Sequence, residues 1–281
     1  MTGSADNQPP TRLAGQRLAG ESLTVAYDER VILENLDVTI PEGSFTVIVG
    51  PNACGKSTLL RSLSRLLRPS SGSILLDGTD IRDLRTKELA RKIGLLPQSS
   101  IAPEAITVVD LVSRGRHPHQ GVFRQWSPDD EAAVRKALES TRLVPLAHAH
   151  VDQLSGGQRQ RVWIAMVLAQ QTPVMLLDEP TTFLDIAHQI EVMDLCAALN
   201  RDGRTLVAVL HDLNQSARYA THLIAMKEGR IVAEGPPSAV VTAELVAEVF
   251  NVRARVIADP ETGSPLVIPL AHKAVVTDPV G

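Results

Sequence analysis

Cysteine is almost missing from these 281 residues: Cys54 and Cys196 stand in unrelated contexts with no CxxC spacing. That argues against a disulfide framework and against a structural zinc site. Long apolar runs are missing too. The longest, such as VMLL before Asp178 and LVAVL before His211, fall far short of the roughly 18 residues that a membrane-spanning helix needs. The leader MTGSADNQPPTRLAGQ has no basic start followed by an apolar stretch, so it does not read as a secretion signal, and the cytosol is the expected compartment. An excess of positive charge is also absent. Lys and Arg number 28 against 32 Asp and Glu, a net charge of -4, so no global basic field draws the chain to nucleic acid. What is present is an apolar fraction of 44%, enough for a sizeable core in one large domain or two small ones.

The order of elements is that of an α/β protein. Segments 21–27 and 36–40 read as short strands. FTVIV, residues 45–49, is the β-branched run expected of a central parallel strand. From Ser57 the pattern turns helical, with Leu59, Leu60, Leu63, Leu66 and Leu67 spaced by three and four until Pro69 and Ser70 stop it. SGSILLDGTDI reads as a return strand and KIGLLPQ as another. From about Ser99 apolar runs shorten and helical patterns dominate, which marks a helical insertion over about 99–165. Strand-like runs resume at 174–177, 206–210 and 222–226, separated by helical stretches. The expected division is a flexible leader over 1–20, a main domain over 21–235 holding the insertion, and an appendage over 236–281.

GPNACGKST fits the phosphate-loop pattern GxxxxGK(S/T), with a strand before it and a helix after it. Backbone N-H groups from Asn52 through Thr58 can cradle phosphates, Lys56 adds a point charge, and the Ser57 hydroxyl suits Mg²⁺. Asp178 closes the apolar run VMLL, at the strand end where such sheets bind ligands, so it can hold the hydration shell of that Mg²⁺. Glu179 follows, placed to serve as general base for water attacking the γ-phosphate. A second glycine turn, LSGGQ at 154–158, runs into a helix whose stripe Val162, Ala165, Met166 and Ala169 anchors it. Its N-terminus, with Ser155, Gly156 and Gly157, offers N-H groups and a hydroxyl to an anion.

GPNACGKST, the glutamine of LLPQS, LSGGQ, LLDEP, TTFLD and the histidine of VLHDLN come in the order found in the ATP-binding subunits of ABC transporters, which the chain resembles over nearly all of 21–235. The resemblance implies a P-loop NTPase core of the ABC ATPase type, with an antiparallel β subdomain and a helical insertion subdomain. It implies ATP bound by Gly50, Pro51, Asn52, Ala53, Cys54, Gly55, Lys56, Ser57 and Thr58, and Mg²⁺ held by Ser57, Gln98 and Asp178. Catalysis would fall to Glu179, His211 and Lys56. Two subunits would pack head to tail, each ATP lying between one phosphate loop and the partner's Ser155, Gly156, Gly157 and Gln158, with Asp185 crossing the interface. Tyr27 matches an adenine-stacking aromatic, though a core role stays open.

Ala53 stands where many relatives have glycine, and is expected to take φ below zero or mild strain. Cys54, beside a helix N-terminus, is expected to have a lowered thiol pKa and to be alkylated in competition with ATP. SRGRHPHQGVFRQWSPDD (113–130) and HDLNQSARYA resemble the subgroup importing ferric siderophores, haem and cobalamin. That implies a homodimer on the cytoplasmic face of the membrane, docked on permease subunits and served by a substrate-binding protein, with no nucleic acid. Bland alternatives for His117, His119 and Trp126 are a solvated loop, a helix cap and a small core contact. A metal site from His117, His119, His148 and His150 is disfavoured, since clustered carboxylates or thiols are lacking. An importer of haem, cobalamin or another metal, or a non-transport ABC ATPase, remains the alternative function.

Overall fold

A computed structural model describes residues 15–28, 30–98, 101–121, 126–182 and 184–271. The chain opens with two long antiparallel strands, β1 (Gln16–Tyr27) and β2 (Arg30–Pro41). Both exceed the sequence reading, and β1 begins inside the stretch expected to be leader. The reason is a bulge. Leu18 and Ala19 are both buried, the register shifts between Gly20 and Leu23, and Ser22 takes φ 47°. An extra residue of this kind breaks the period-two alternation that reveals a strand. Leader residues 1–14, Ser99 of LLPQS, residues 122–125 of the insertion, Phe183 of TTFLD and the tail 272–281 lie outside the described residues.

Next come β3 (Phe45–Val49), α1 (Lys56–Leu63), β4 (Ser71–Leu76), β5 (Thr79–Asp80), α2 (Thr86–Ala90) and β6 (Ile93–Leu96). The helical stretch holds α3 (Val108–Ser113), a 3-10 turn (Arg114–His119), α4 (Pro128–Ser140) and α5 (Gly156–Ala169). The alternating part returns with β7 (Val174–Asp178), α6 (Ile186–Arg201), β8 (Thr205–Val209), α7 (Leu213–Tyr219), β9 (His222–Lys227) and β10 (Arg230–Gly235). The appendage holds α8 (Pro237–Val240), α9 (Ala243–Phe250) and a hairpin of β11 (Ala254–Ala258) and β12 (Pro265–Pro269).

Six strands form the main sheet in the order β10-β9-β3-β8-β7-β6, and four form the antiparallel sheet β2-β1-β4-β5. Within the main sheet β6, β7, β8, β3 and β9 run parallel and only β10 is antiparallel. Every residue of β3, β7 and β8 is buried, as strands covered on both faces require. The two faces feed different cores. Ile48, Leu176, Val207 and Val209 pack with α1 and the antiparallel sheet, while Val47, Val49, Leu177 and Ala208 pack with the helical stretch and the appendage. The appendage is pinned to α7 by Asn214, which donates to Val267 O at 3.2 Å and accepts from Val267 N at 2.7 Å.

The SRGRHPHQ stretch is largely a latch. Gly115 lies so close to Met166 O that no side chain fits there. Arg116, with its side chain 5% exposed, donates to Asp130 Oδ1 at 2.8 Å, Ala169 O at 2.7 Å and Gln171 Oε1 at 2.9 Å. Asp130 also accepts from the Ser127 amide and hydroxyl in the capping box of α4. His119 Nε2 lies 2.8 Å from Gln170 O, and Arg91 Nε donates to Pro118 O at 2.9 Å. One buried guanidinium thus joins the 3-10 turn, the start of α4 and the end of α5.

Burial pushes the Asp130 carboxyl up, but hydrogen bonds from Arg116 and Ser127 outweigh it and hold the group below the ordinary carboxylate value. Removing one member of a buried pair leaves the other uncompensated, so Arg116→Ala is expected to cost about 3 kcal/mol in urea unfolding at neutral pH. A depressed carboxylate stabilises above its unfolded pKa, and that share is lost as pH falls through the folded value. The gap between wild type and Asp130→Asn in urea midpoint should therefore be constant near neutrality and close below the usual aspartate range, near pH 4. A gap unchanged into acid would contradict the charged pairing.

Candidate functional site

Four neighbouring parallel strands deliver their carboxyl ends to one edge. Ile48 of β3 pairs Val209 of β8, which pairs Asp178 of β7, and β6 lies beyond. The phosphate loop leaves β3, His211 follows β8, Asp178 and Glu179 close β7, and Gln98 follows β6. These loops border a cleft of about 520 Å³ lined by Asn52, Ala53, Gly55, Lys56, Ser57, Thr58, Gln98, Glu179 and His211, together with Arg30, Ile32 and Thr182.

The loop's shape follows from two glycines and one lysine. Gly50, at φ 154°, abuts Met226 O, and a Cβ on Gly55, at φ 105°, would fall 2.7 Å from Leu33 Cδ2. Neither position tolerates a side chain. Lys56 is buried and its Nζ donates to Gly50 O and Pro51 O at 2.8 Å each, tying both ends of the turn. The N-cap of α1 is Gly55, which supplies no side-chain acceptor, so first-turn amides are left for an anion. Ala53 takes φ 61°. The strained option is the one adopted, at a cost of about 1 kcal/mol relative to glycine.

Cys54 corrects the sequence reading. Its side chain is 5% exposed, beneath Gly50, and burial pushes the thiol up, outweighing the opposing pull of Lys56 and the loop amides. A raised, covered thiol is a poor nucleophile. The loop therefore uses Cys54 as a small packed side chain, not as a reactive thiol.

Asp178, with its side chain 2% exposed, accepts from Ser57 Oγ at 2.8 Å. Its nearest cation is Arg61 Nε, 3.9 Å from Oδ2. Burial pushes this carboxyl up against the opposing effects of Ser57 and Arg61. A buried carboxylate and a hydroxyl in contact, short of positive charge, make an oxygen donor set that fits Mg²⁺.

Glu179 is held by its neighbours on both carboxylate oxygens. His211 Nε2 is 2.8 Å from Oε1, and Thr182 Oγ1 donates to Oε2 at 3.0 Å. Its backbone sits at φ 54°, a strained conformation for a non-glycine residue of the kind that clusters at functional sites. Burial pushes the carboxyl up, but hydrogen bonds from His211, Gln98 and Thr182 outweigh it and hold it below the ordinary glutamate value. The group is an ionised carboxylate with fixed direction at neutral pH.

Not every expected residue reaches this cleft. Tyr27 ends β1, 43% exposed, opposite Arg30 in the register, and Arg30 and Ile32 line the cleft instead. Sequence reading missed these two because the antiparallel sheet brings them in from another strand. Thr182 was legible only as part of TTFLD; its spacing of three from Glu179 was the available signal.

Ser155, Gly156, Gly157, Gln158 and Asp185 are also outside the lining. Ser155 is the N-cap of α5 in a capping box, where Gln158 N donates to Ser155 Oγ at 3.3 Å and Ser155 N to Gln158 Oε1 at 3.0 Å. Asp185 caps α6, two-thirds exposed, and the His188 amide bonded to it leads the effects that hold its carboxyl low.

A family model described as ABC transporter matches residues 33–182. The chain is 57% identical over 259 residues to the ferric enterobactin transport ATP-binding protein FepC of Escherichia coli, spanning 92% of this chain and 96% of that one. It is 44% identical over 252 residues to the iron(3+)-hydroxamate import ATP-binding protein FhuC of Bacillus subtilis, spanning 89% and 94%. A bacterial ABC transporter cassette solved as a dimer superposes with a TM-score of 0.70 at 31% identity, covering 78% of this chain and 98% of that one. A phosphate loop, paired acids and polar edge in this arrangement, with such likeness along most of the chain, place the protein in the ABC transporter family as an ATP-binding subunit.

Proposed function

We infer that the protein is the ATP-hydrolysing subunit of an importer for iron(III)-siderophores. The observation that carries the chemistry is the tethering of Glu179 by His211 and Thr182 beside a phosphate loop. The cargo class rests on the likeness to ferric enterobactin and iron(3+)-hydroxamate ATP-binding proteins. Among the described residues no helix is long and apolar enough to cross a membrane; the likeness to import ATP-binding proteins supports permease subunits that supply the path and a place for this chain at the cytoplasmic face. A substrate-binding protein selects the chelate, and nucleic acid has no part.

ATP is the substrate. Its phosphates would lie on the amides of Asn52 through Thr58, with Lys56 exchanging carbonyl partners for phosphate oxygens. Ser57, Asp178 and Gln98 would hold Mg²⁺, which supplies charge neutralisation at the β- and γ-phosphates when bound. Glu179 orients the attacking water and takes its proton, and His211 fixes the carboxylate that does so. The turns at Ser155–Gln158 and Asp185 lie outside the lining of this cleft, and two copies packed head to tail would bring each set to the other's nucleotide. Closure of that pair and its reopening after hydrolysis would drive the permease. Ile101, 92% exposed, Trp126, 46% exposed, and the exposed Arg114 and His117 are side chains of the insertion that a permease helix would meet.

Glu179→Gln keeps the hydrogen-bonding shape but not the base. Turnover should fall by about 100-fold or more, and the variant should run as an ATP-bound dimer in light scattering; hydrolysis at the normal rate refutes the assigned role. Thr182→Val removes one hydrogen bond from a charged acceptor, so kcat should drop about tenfold with KM for ATP unchanged. Its acidic limb in the kcat profile should move to higher pH, since Thr182 helps hold Glu179 ionised. An unmoved limb would mean that Thr182 does not tune the base.

A further inference from the structure

The two glycines of the LSGGQ turn are glycine for different reasons. A side chain at Gly156 would meet nothing within 4 Å, whereas a Cβ at Gly157 would fall 2.5 Å from Cδ2, 2.7 Å from Cγ and 3.0 Å from Nε2 of His188. The imidazole of His188, on the first turn of α6, occupies the place where a side chain of residue 157 would sit. The ring is also tied to the cap of its own helix. Nδ1 lies 2.7 Å from Asp185 Oδ1, the same oxygen that accepts the His188 amide at 2.9 Å. Since a carboxylate oxygen only accepts, Nδ1 is the nitrogen that carries the proton. One further contact joins α5 to α6, Arg161 Nη1 lying 3.7 Å from Glu191 Oε2, and Gln160 Nε2 of α5 donates to Pro180 O, in the loop before α6, at 3.0 Å.

We propose that His188 is a positioning residue, a strut that sets the Asp185 turn against the Gly156–Gly157 turn so that both reach a second copy's nucleotide as one unit. This rests on the two-copy reading above. The strut explains why Gly157 cannot carry a side chain while Gly156 keeps open space in front of it. Neither Gly157 nor His188 lines the chain's own cleft, so loosening the strut leaves the first contact of ATP with its own phosphate loop intact. What is lost is alignment between the copies, and misplacement by about 1 Å can cost about 100-fold in rate.

The test is a compensation experiment on the full-length chain, reading kcat, KM for ATP and the melting temperature. His188→Ala should lower kcat about tenfold with KM within about twofold. Gly157→Ala, which drives a methyl group into the ring, should lower it by about 100-fold. Combining the two should restore at least about tenfold over Gly157→Ala, because the methyl then fills space the ring has left. His188→Asn, whose amide can donate to Asp185 as Nδ1 does, should retain more turnover than His188→Ala. Normal kcat in His188→Ala, or a double variant no better than Gly157→Ala, overturns the strut, whatever the melting temperatures. If Glu179→Gln still dimerises with ATP when compensation fails, only the strut falls; if it stays monomeric, the two-copy reading falls with it.

Discussion

The parallel register of β3, β8 and β7 is the constraint on which the site depends. Ile48, Val209 and Asp178 stand at one level, so the phosphate loop, His211 and the paired acids emerge side by side. A slip of one residue in β7 would exchange the faces of its side chains and turn Asp178 away from Ser57. Close packing on both faces resists such a slip, because Met175 and Val174, which differ in size and shape, would also enter each other's cores. The chemistry is thus positioned by apolar packing some distance from the reacting atoms.

Around that edge the molecule divides its polar groups between holding and acting. Arg116 and Asp130 carry opposite charges at nearly full burial, and each meets its partners within the helical stretch. Asp178 is buried too, but its positive neighbours are few, and its carboxyl is pushed up where that of Asp130 is pulled down. The contrast separates a completed structural pair from a site with room for a cation. Glu179 lies between these cases, ionised and fixed in direction through both oxygens.

Relatives named for ferric enterobactin and for iron(3+)-hydroxamate share this cassette at 57% and 44% identity. Relatives with differing cargo names thus share one ATPase design with this chain. The C-terminal segment is held through Asn214 to the helix that follows His211 and shares a core with the main sheet.

By itself the sequence determined the loop, the acids that close β7, the histidine after β8 and the central strands. These signals are local: a glycine pattern between strand and helix, or an unbroken β-branched run, needs no distant partner to be read. Residues whose meaning depends on a remote neighbour were decided by the tertiary structure alone. The bulge hid the start of β1, Arg30 and Ile32 enter the cleft from another sheet, and Cys54 is silenced by the packing above it. Arg116 is one basic residue of the SRGRHPHQ stretch in sequence and a buried latch in space, because only folding brings Asp130, Ala169 and Gln171 around it.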